Sequence, residues 1–465
     1  MAVNVFSWTK SKLRKTQPRS VAGTRKHKCG QAHTNLSTHT SEGNFPNMAF
    51  TLCLRSPIIS LLLHFLLVVS TLCPVRSSQF GNHLVANHTF QPKEELRKLN
   101  VIRARLQQIN KPPVKTIQSP DGDIIDCVMS HQQPAFHHPL LKGQKPLDPP
   151  KGPRGHNEMD DLSENFQLWS LSGESCPEGT IPIRRTREED ILRASSVRRF
   201  GMKKTLNSVK MDITSNGHEH AIGYVTGNKY YGAKATINVW APVVDDPTEF
   251  SLSQMWVISG SFGSDLNTVE AGWQVYPRIF GDRKPRFFIY WTNDSYHRTG
   301  CYNLLCPGFV QTNKKIALGA AISPISSYNG GQFDITLLIW KDPKSGNWWL
   351  QYGADNLIGY WPASLFSNLR YHASMIQFGG EIVNLGSSGH TSTQMGSGHF
   401  AEEGFGKASY FKNMKVVDWH NSLIPLSNIK VLVDHPNCYH LQQRSSKAWG
   451  NYFFYGGPGR NVKCP

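Results

Sequence analysis

Two carboxylates stand in this chain where a carboxylate is costly. Glu270 lies inside the apolar, Gly-rich run Gly260-Ser-Phe-Gly-Ser-Asp-Leu-Asn-Thr-Val-Glu-Ala-Gly-Trp-Gln-Val275, between two stretches that read as strands, 253–258 and 287–291. Glu381 lies in Ala373-Ser-Met-Ile-Gln-Phe-Gly-Gly-Glu-Ile-Val383. Burying a carboxylate in such company costs several kcal/mol unless it is protonated, paired or hydrogen-bonded. Two carboxylates held close together share a proton at acid pH. The ionised one draws a proton from water while the protonated one polarises a carbonyl and then protonates the leaving group. Trp256, Trp273 and Tyr290 could wall a cleft around this pair, although core packing is the commoner role of each ring. Gln274 and Gln377 flank the carboxylates and could orient substrate, or simply bond within their strands.

Other chemistry is poorly supported. His218-Glu-His220 puts two imidazoles on one face of a strand, yet no third metal ligand is evident, and no Cys-x₂-Cys spacing occurs. No Gly-x-Ser-x-Gly elbow appears, and Gly396-Ser-Gly398 is not followed by the helix and Lys of a phosphate loop. Neither a metal nor a cofactor is expected.

The elements that must position the pair are strands. From about residue 218 onward short β-rich runs alternate with Gly, Asn and Pro turns, a dozen in all, with one short helix expected over 362–369. No βαβ alternation occurs, which argues against a dinucleotide fold, and a sandwich or barrel is expected. Upstream, residues 94–109 place Leu96, Leu99, Ile102, Leu106 and Ile109 at helical spacing, stopped by Asn110-Lys-Pro-Pro113. Residues 119–122 read as a turn, 124–128 as a short strand, 142–165 as a mobile Pro/Gly linker and 187–195 as a second helix. The clusters Arg198-Arg199 and Lys203-Lys204 read equally as solvated surface or as a processing region.

The net charge of +17 misleads, because residues 1–47 carry +7 of it. No basic cluster on the folded region suits nucleic acid. That first segment is polar and is expected not to fold. After Met48 come Arg55 and an apolar run of roughly 15 residues ending before Ser77-Ser78, the pattern of a secretory signal, and too short to span a membrane. The expected divisions are a non-native or disordered extension (1–47), a signal peptide (48–78), a leader (79–205) and a catalytic-looking domain (206–465). An organelle presequence is the alternative for the first segment. Export would suit the cysteines. Cys29, Cys53 and Cys73 fall in the removed part, leaving six, which allow 15 pairings. Spacing suggests Cys127 with Cys176, Cys301 with Cys306 and Cys438 with Cys464. Asn87 and Asn293 begin glycosylation sequons.

Many separate motifs resemble the neprosin family of plant secreted proteins. They are Ser253-Gln-Met-Trp, Gly260-Ser-Phe, Glu270-Ala-Gly-Trp-Gln-Val275, Tyr290-Trp-Thr, Gly300-Cys-Tyr-Asn-Leu-Leu-Cys306, Ile339-Trp-Lys-Asp-Pro343 and Thr393-Gln-Met-Gly-Ser-Gly398. Thr116-Ile-Gln-Ser-Pro-Asp-Gly-Asp-Ile-Ile-Asp-Cys127 resembles that family's activation peptide. The resemblance spans about residues 90–465. It implies an all-β antiparallel sandwich of two large sheets preceded by a small α+β pro-domain that inhibits it. The implied activity is that of a glutamic endopeptidase acting on peptide or protein substrates at acid pH, possible Pro preference being borrowed from the family. The implied catalytic residues are Glu270 and Glu381. The expected location is the apoplast or cell wall, with the vacuole as the alternative. Two rival readings use the same parts: a β-sandwich glycosidase, which also employs a carboxylate pair, and a wall-bound or carbohydrate-binding protein without catalysis.

Overall fold

The computed structural model describes residues 92–155, 166–171, 173–203, 217–386 and 389–465. The expected signal segment, Asn87 and Lys204 lie outside them. The chain divides into units 1–87 and 88–465, and everything below concerns the second.

Two antiparallel sheets make the body. One has six strands in the order Lys430–Val433, His218–Tyr230, Ala373–Val383, Ser251–Ser259, Asn267–Val275, Arg286–Thr292. The other has nine, running Val310–Gln311, Asn356–Trp361, Trp348–Tyr352, Asp334–Lys341, Gly232–Asn238, Ser409–Val417, Gly450–Gly456, His440–Ser446, with Leu423–Pro425 paired beside Ser409–Val417. Alternate residues of each strand meet in one core: Met255, Val257, Val269, Ala271, Trp273, Ile289 and Phe378 from the first sheet, Ala235, Ile237, Leu337, Ile339, Leu350 and Phe411 from the second. This is the expected sandwich. The other face of the six-stranded sheet is covered too, by a second apolar group of Ile222, Leu252, Trp256, Phe288, Tyr290 and Tyr302.

The leader contributes the helix Pro92–Ile109, a three-stranded sheet of Pro113–Gln118, Ile124–Met129 and Thr180–Arg184, and the short helix Glu188–Leu192. Ile102 and Ile109 are buried against Ile191 and Phe200, whereas Leu96 is exposed, so the apolar stripe packs closely only in the second half of the helix. A polar network fastens this leader to the sandwich. Asp123 receives Arg184 Nε at 2.8 Å and Arg286 Nη1 at 2.5 Å, and Arg286 also reaches Asp282 at 2.5 Å. Arg286 is 1% exposed. Burial would raise the Asp123 carboxyl, but Arg184 and Arg286 hold it below its ordinary value.

Three local expectations change. Residues 316–322, one of the dozen runs expected as strands, form mostly a buried turn; Ala317 and Ala320 pack on Ile117, Ile125 and Trp169 of the leader, and only Ile322–Ser323 is extended. The helix expected over 362–369 is a single turn, Ala363–Leu365, because Asn267 Oδ1 accepts from the backbone of Asn368 and Leu369 and draws the chain out of helix. The described part of the expected mobile linker is docked at its end: Arg154 N donates to the Asn421 carbonyl at 2.8 Å, and the Arg154 carbonyl accepts from Leu423 N at 2.9 Å. Disulfides join Cys127 to Cys176, Cys301 to Cys306 and Cys438 to Cys464. Among the described residues no helix is long and apolar enough to cross a membrane.

Candidate active site

The face of the six-stranded sheet that looks away from the core carries both carboxylates. Glu270 pairs across the sheet with Trp256 on one side and Tyr290 on the other. Glu381 pairs with Leu252 and His220. The strand Ser251–Ser259 runs between them, and in register Gln254 stands midway, two residues from the level of each. Two strand spacings of about 4.8 Å and four residues of rise at about 3.4 Å each separate the two α-carbons by roughly 17 Å.

Glu270 is wholly buried and accepts four hydrogen bonds. Tyr296 Oη donates to Oε1 at 2.7 Å and Thr268 Oγ1 at 2.8 Å, while Lys203 Nζ reaches Oε2 at 2.8 Å and Gln254 Nε2 at 3.1 Å. Ser295 and Tyr296 both adopt left-handed backbone, φ 57° and 64°, a conformation that side chains rarely hold and that often marks functional loops. It turns the Tyr296 phenol onto the carboxylate. Burial, then the Glu270 charge, push that phenol well above its ordinary range.

Glu381 is 3% exposed and bonds His218 Nδ1 at 2.5 Å through Oε1. Burial would raise its carboxyl, but Lys203, His218 and His220 together pull it down to about 2. His220 bonds Asp434 at 2.9 Å; burial lowers its imidazole, and Asp434 and Glu381 more than reverse this. The two histidines therefore serve carboxylates. Glu219, between them, faces the other way to His390 (2.8 Å) and Asn384 (2.8 Å). Among the described residues one cluster has metal-ligand proximity, His390 with Cys438 and Cys464, but those cysteines are bonded to each other.

The leader enters the site through Lys203. Its ammonium lies on Glu270 and 5.0 Å from the ring centres of both Tyr290 and Tyr296. Its side chain is 9% exposed. Burial lowers the Lys203 ammonium, yet Glu270 and Glu381 raise it overall, so it stays charged between them. The backbone N of Lys203 donates to Tyr290 Oη at 3.1 Å, and Gly201 accepts from Tyr302 N at 2.8 Å.

Of the residues singled out in the sequence, Trp256, Tyr290, Gln274 and Gln377 share the face of the carboxylates. Trp256 lies beside Glu270, with its ring 6.5 Å from His220. Tyr290 flanks Glu270 and bonds Lys203. Gln274 stands level with Leu252 and is buried. Gln377 is half-buried, with Nε2 3.1 Å from Met375 Sδ. Trp273 does not join them. It is three residues from Glu270, so strand alternation sends it into the core, where Nε1 donates to the Asn238 carbonyl at 2.9 Å. Asn293 is half-buried and its amide donates to the Leu365 carbonyl at 2.6 Å. Sequence reasoning missed Lys203, Gln254, Thr268, Tyr296 and Asp434. Thr268 and Gln254 were accessible by period-two counting from Glu270 and Trp256; the other three reach the site from loops or from the leader.

Residues 116–224 match the neprosin activation peptide and residues 247–458 match neprosin. The chain belongs to the neprosin family. Membership makes it a glutamic-type peptidase with an activation segment ahead of the catalytic sandwich. Crystal structures of scytalido-glutamic peptidase with a peptide-based transition-state analogue and with a transition-state analogue inhibitor each match at 12% identity. They cover 52% of this chain and 98% of their own, with TM-scores of 0.29 and 0.30. SCP-B, a member of the eqolisin family of peptidases solved with the tripeptide Ala-Ile-His, matches at 11% identity over the same shares, with a TM-score of 0.28. Scores this low support no statement about the site of this neprosin-family chain.

Proposed function

We propose that this protein is an endopeptidase exported as a zymogen, in which Glu270 and Glu381 activate one water at acid pH and the leader through Lys203 holds them idle. The observation that carries this reading is the position of Lys203, a leader cation bonded to one carboxylate and attracted by the other.

The geometry also supports an assignment of roles. When the leader departs, Glu270 loses the cation bonded to it, whereas Glu381 keeps His218 and His220. Glu381, still beside two imidazoles, stays the ionised member of the pair. Glu381 is the general base that takes a proton from water. Glu270 is the acid that hydrogen-bonds the scissile carbonyl oxygen, with Tyr296 and Thr268 orienting its carboxyl. The water oxygen bonds to the carbonyl carbon, and the carbonyl oxygen receives the Glu270 proton. The carbon–nitrogen bond then breaks as Glu381 returns its proton to the nitrogen and the diol gives one back to Glu270. Trp256 and Tyr290 offer flat aromatic surfaces that suit a prolyl ring.

The test is acid-treated protein incubated separately with Pro-containing peptides and with a cell-wall glucan. Peptide cleavage with no glucan turnover supports the peptidase. Glucan cleavage supports the glycosidase alternative, and turnover of neither leaves a binding protein.

A further inference from the structure

Gln254 occupies the centre of the diagonal between the two glutamates, and nothing in the acid–base scheme above uses it. Its neighbours across the sheet are Gly379 on the Glu381 strand and Gly272 on the Glu270 strand. Neither glycine tolerates a side chain: a Cβ at Gly272 would come within 2.1 Å of the Ser253 carbonyl oxygen, and one at Gly379, whose φ is 151°, within 2.3 Å of the Ala221 carbonyl oxygen. The floor on both sides of Gln254 is therefore bare backbone, and its amide is the polar group rising between the carboxylates. That amide is wholly buried. Its Nε2 is committed to Glu270 Oε2 at 3.1 Å, while its Oε1 is buried with no hydrogen-bond partner among the described residues. A buried polar atom left unpaired costs about 1–3 kcal/mol and calls for a reason.

We propose that Gln254 is a third catalytic residue, whose Oε1 accepts the second O–H of the attacking water. This deepens the peptidase reading and rests on it. A water whose one proton goes to Glu381 still has another hydrogen to place, and a lone pair must point at the carbonyl carbon. Two carboxylates alone leave that hydrogen free to rotate. A carboxamide tied at Nε2 to Glu270 keeps Oε1 free to accept from a water beside the pair and so to fix that water's orientation. Unlike a third carboxylate, the amide keeps its acceptor neutral at every pH and adds no charge to the pair. No bond to Gln254 forms or breaks in the reaction; it accepts a hydrogen bond through attack and releases it with the product acid.

The experiment compares activated wild-type enzyme with Gln254→Leu and Gln254→Glu on a cleavable peptide, with Glu270→Gln and Glu381→Gln as references. Gln254→Leu should lower kcat about 10- to 100-fold, in the range of losing one preorganised hydrogen bond, with KM within about threefold. Gln254→Glu, equal in size, should alter the pH–rate profile of kcat by adding a third ionisation to the pair. If Gln254→Leu does not fold, Gln254→Glu decides alone. A kcat for Gln254→Leu within twofold of wild type overturns the proposal, as does an unchanged pH profile in Gln254→Glu. If instead both glutamate references remain active, it is the peptidase reading that fails.

Discussion

Lys203 shows how much one residue can decide. A solvated lysine costs nothing to expose, yet here the ammonium is buried against Glu270 and two phenol rings. The sign of its pH dependence follows from Glu381. That carboxyl is held at about 2, below the ordinary 4.5, while the leader is docked. A depressed carboxylate contributes stability that is complete above its free value and lost as pH falls toward the depressed one. Lys203 supplies the largest share of that lowering and leaves with the leader, while His218 and His220 stay, so docking should be full at neutral pH and weaken as pH falls into the acid range toward about 2. Lys203→Met leaves Glu270 buried without its cation, a change that costs about 3–5 kcal/mol. Leader release, followed on gels across a pH series, should then reach its midpoint at least about one pH unit higher than in wild type. An unmoved midpoint would show that Lys203 only fills space.

At the level of elements, the leader sheet is fastened by charge at the start of the edge strand Arg286–Thr292. Asp123 follows the turn between Pro113–Gln118 and Ile124–Met129, and it pairs with Arg286 at the start of the strand beside Glu270. Asp123 is also depressed, so its share of docking likewise falls away as pH drops. Asp123→Asn should raise the pH of leader release by a fraction of a unit to about one unit, since Asp282 still serves Arg286. Once the leader is gone, kcat/KM of the variant should equal that of wild type within twofold, because Asp123 belongs to the departed segment. A variant enzyme slower after release would place Asp123 in the wrong role. The strands themselves explain what the sequence hid. Ser251–Ser259 and Asn267–Val275 are buried at all nine positions, because the second sheet covers one face and the leader, loops and tyrosines cover the other. Alternation of polar and apolar residues is blunted in such strands. Trp273 thus looked as fit for the cleft as Trp256, and only counting from Glu270 separates them.

For the whole molecule, the sandwich was legible from a dozen strand-like runs and the absence of any helix alternation, and the glutamates from two carboxylates in apolar, Gly-rich strands. Gly272 and Gly379 now have a physical reason, since they let neighbouring backbone approach closely around the pair, and Gly380 leaves room for the Met395 and Tyr455 side chains. What was not legible came from long range. Lys203 lies 67 residues from Glu270 and His218 lies 163 from Glu381, and no local pattern links them. The central claim is that both glutamates perform the chemistry. It is tested most directly by peptide turnover at acid pH with Glu270→Gln and Glu381→Gln, each freed of its leader by an added protease so that self-activation is not required. The account predicts that each variant loses at least about 1,000-fold in kcat while keeping the wild-type melting temperature within a few degrees. Either variant retaining a tenth of wild-type turnover would contradict it.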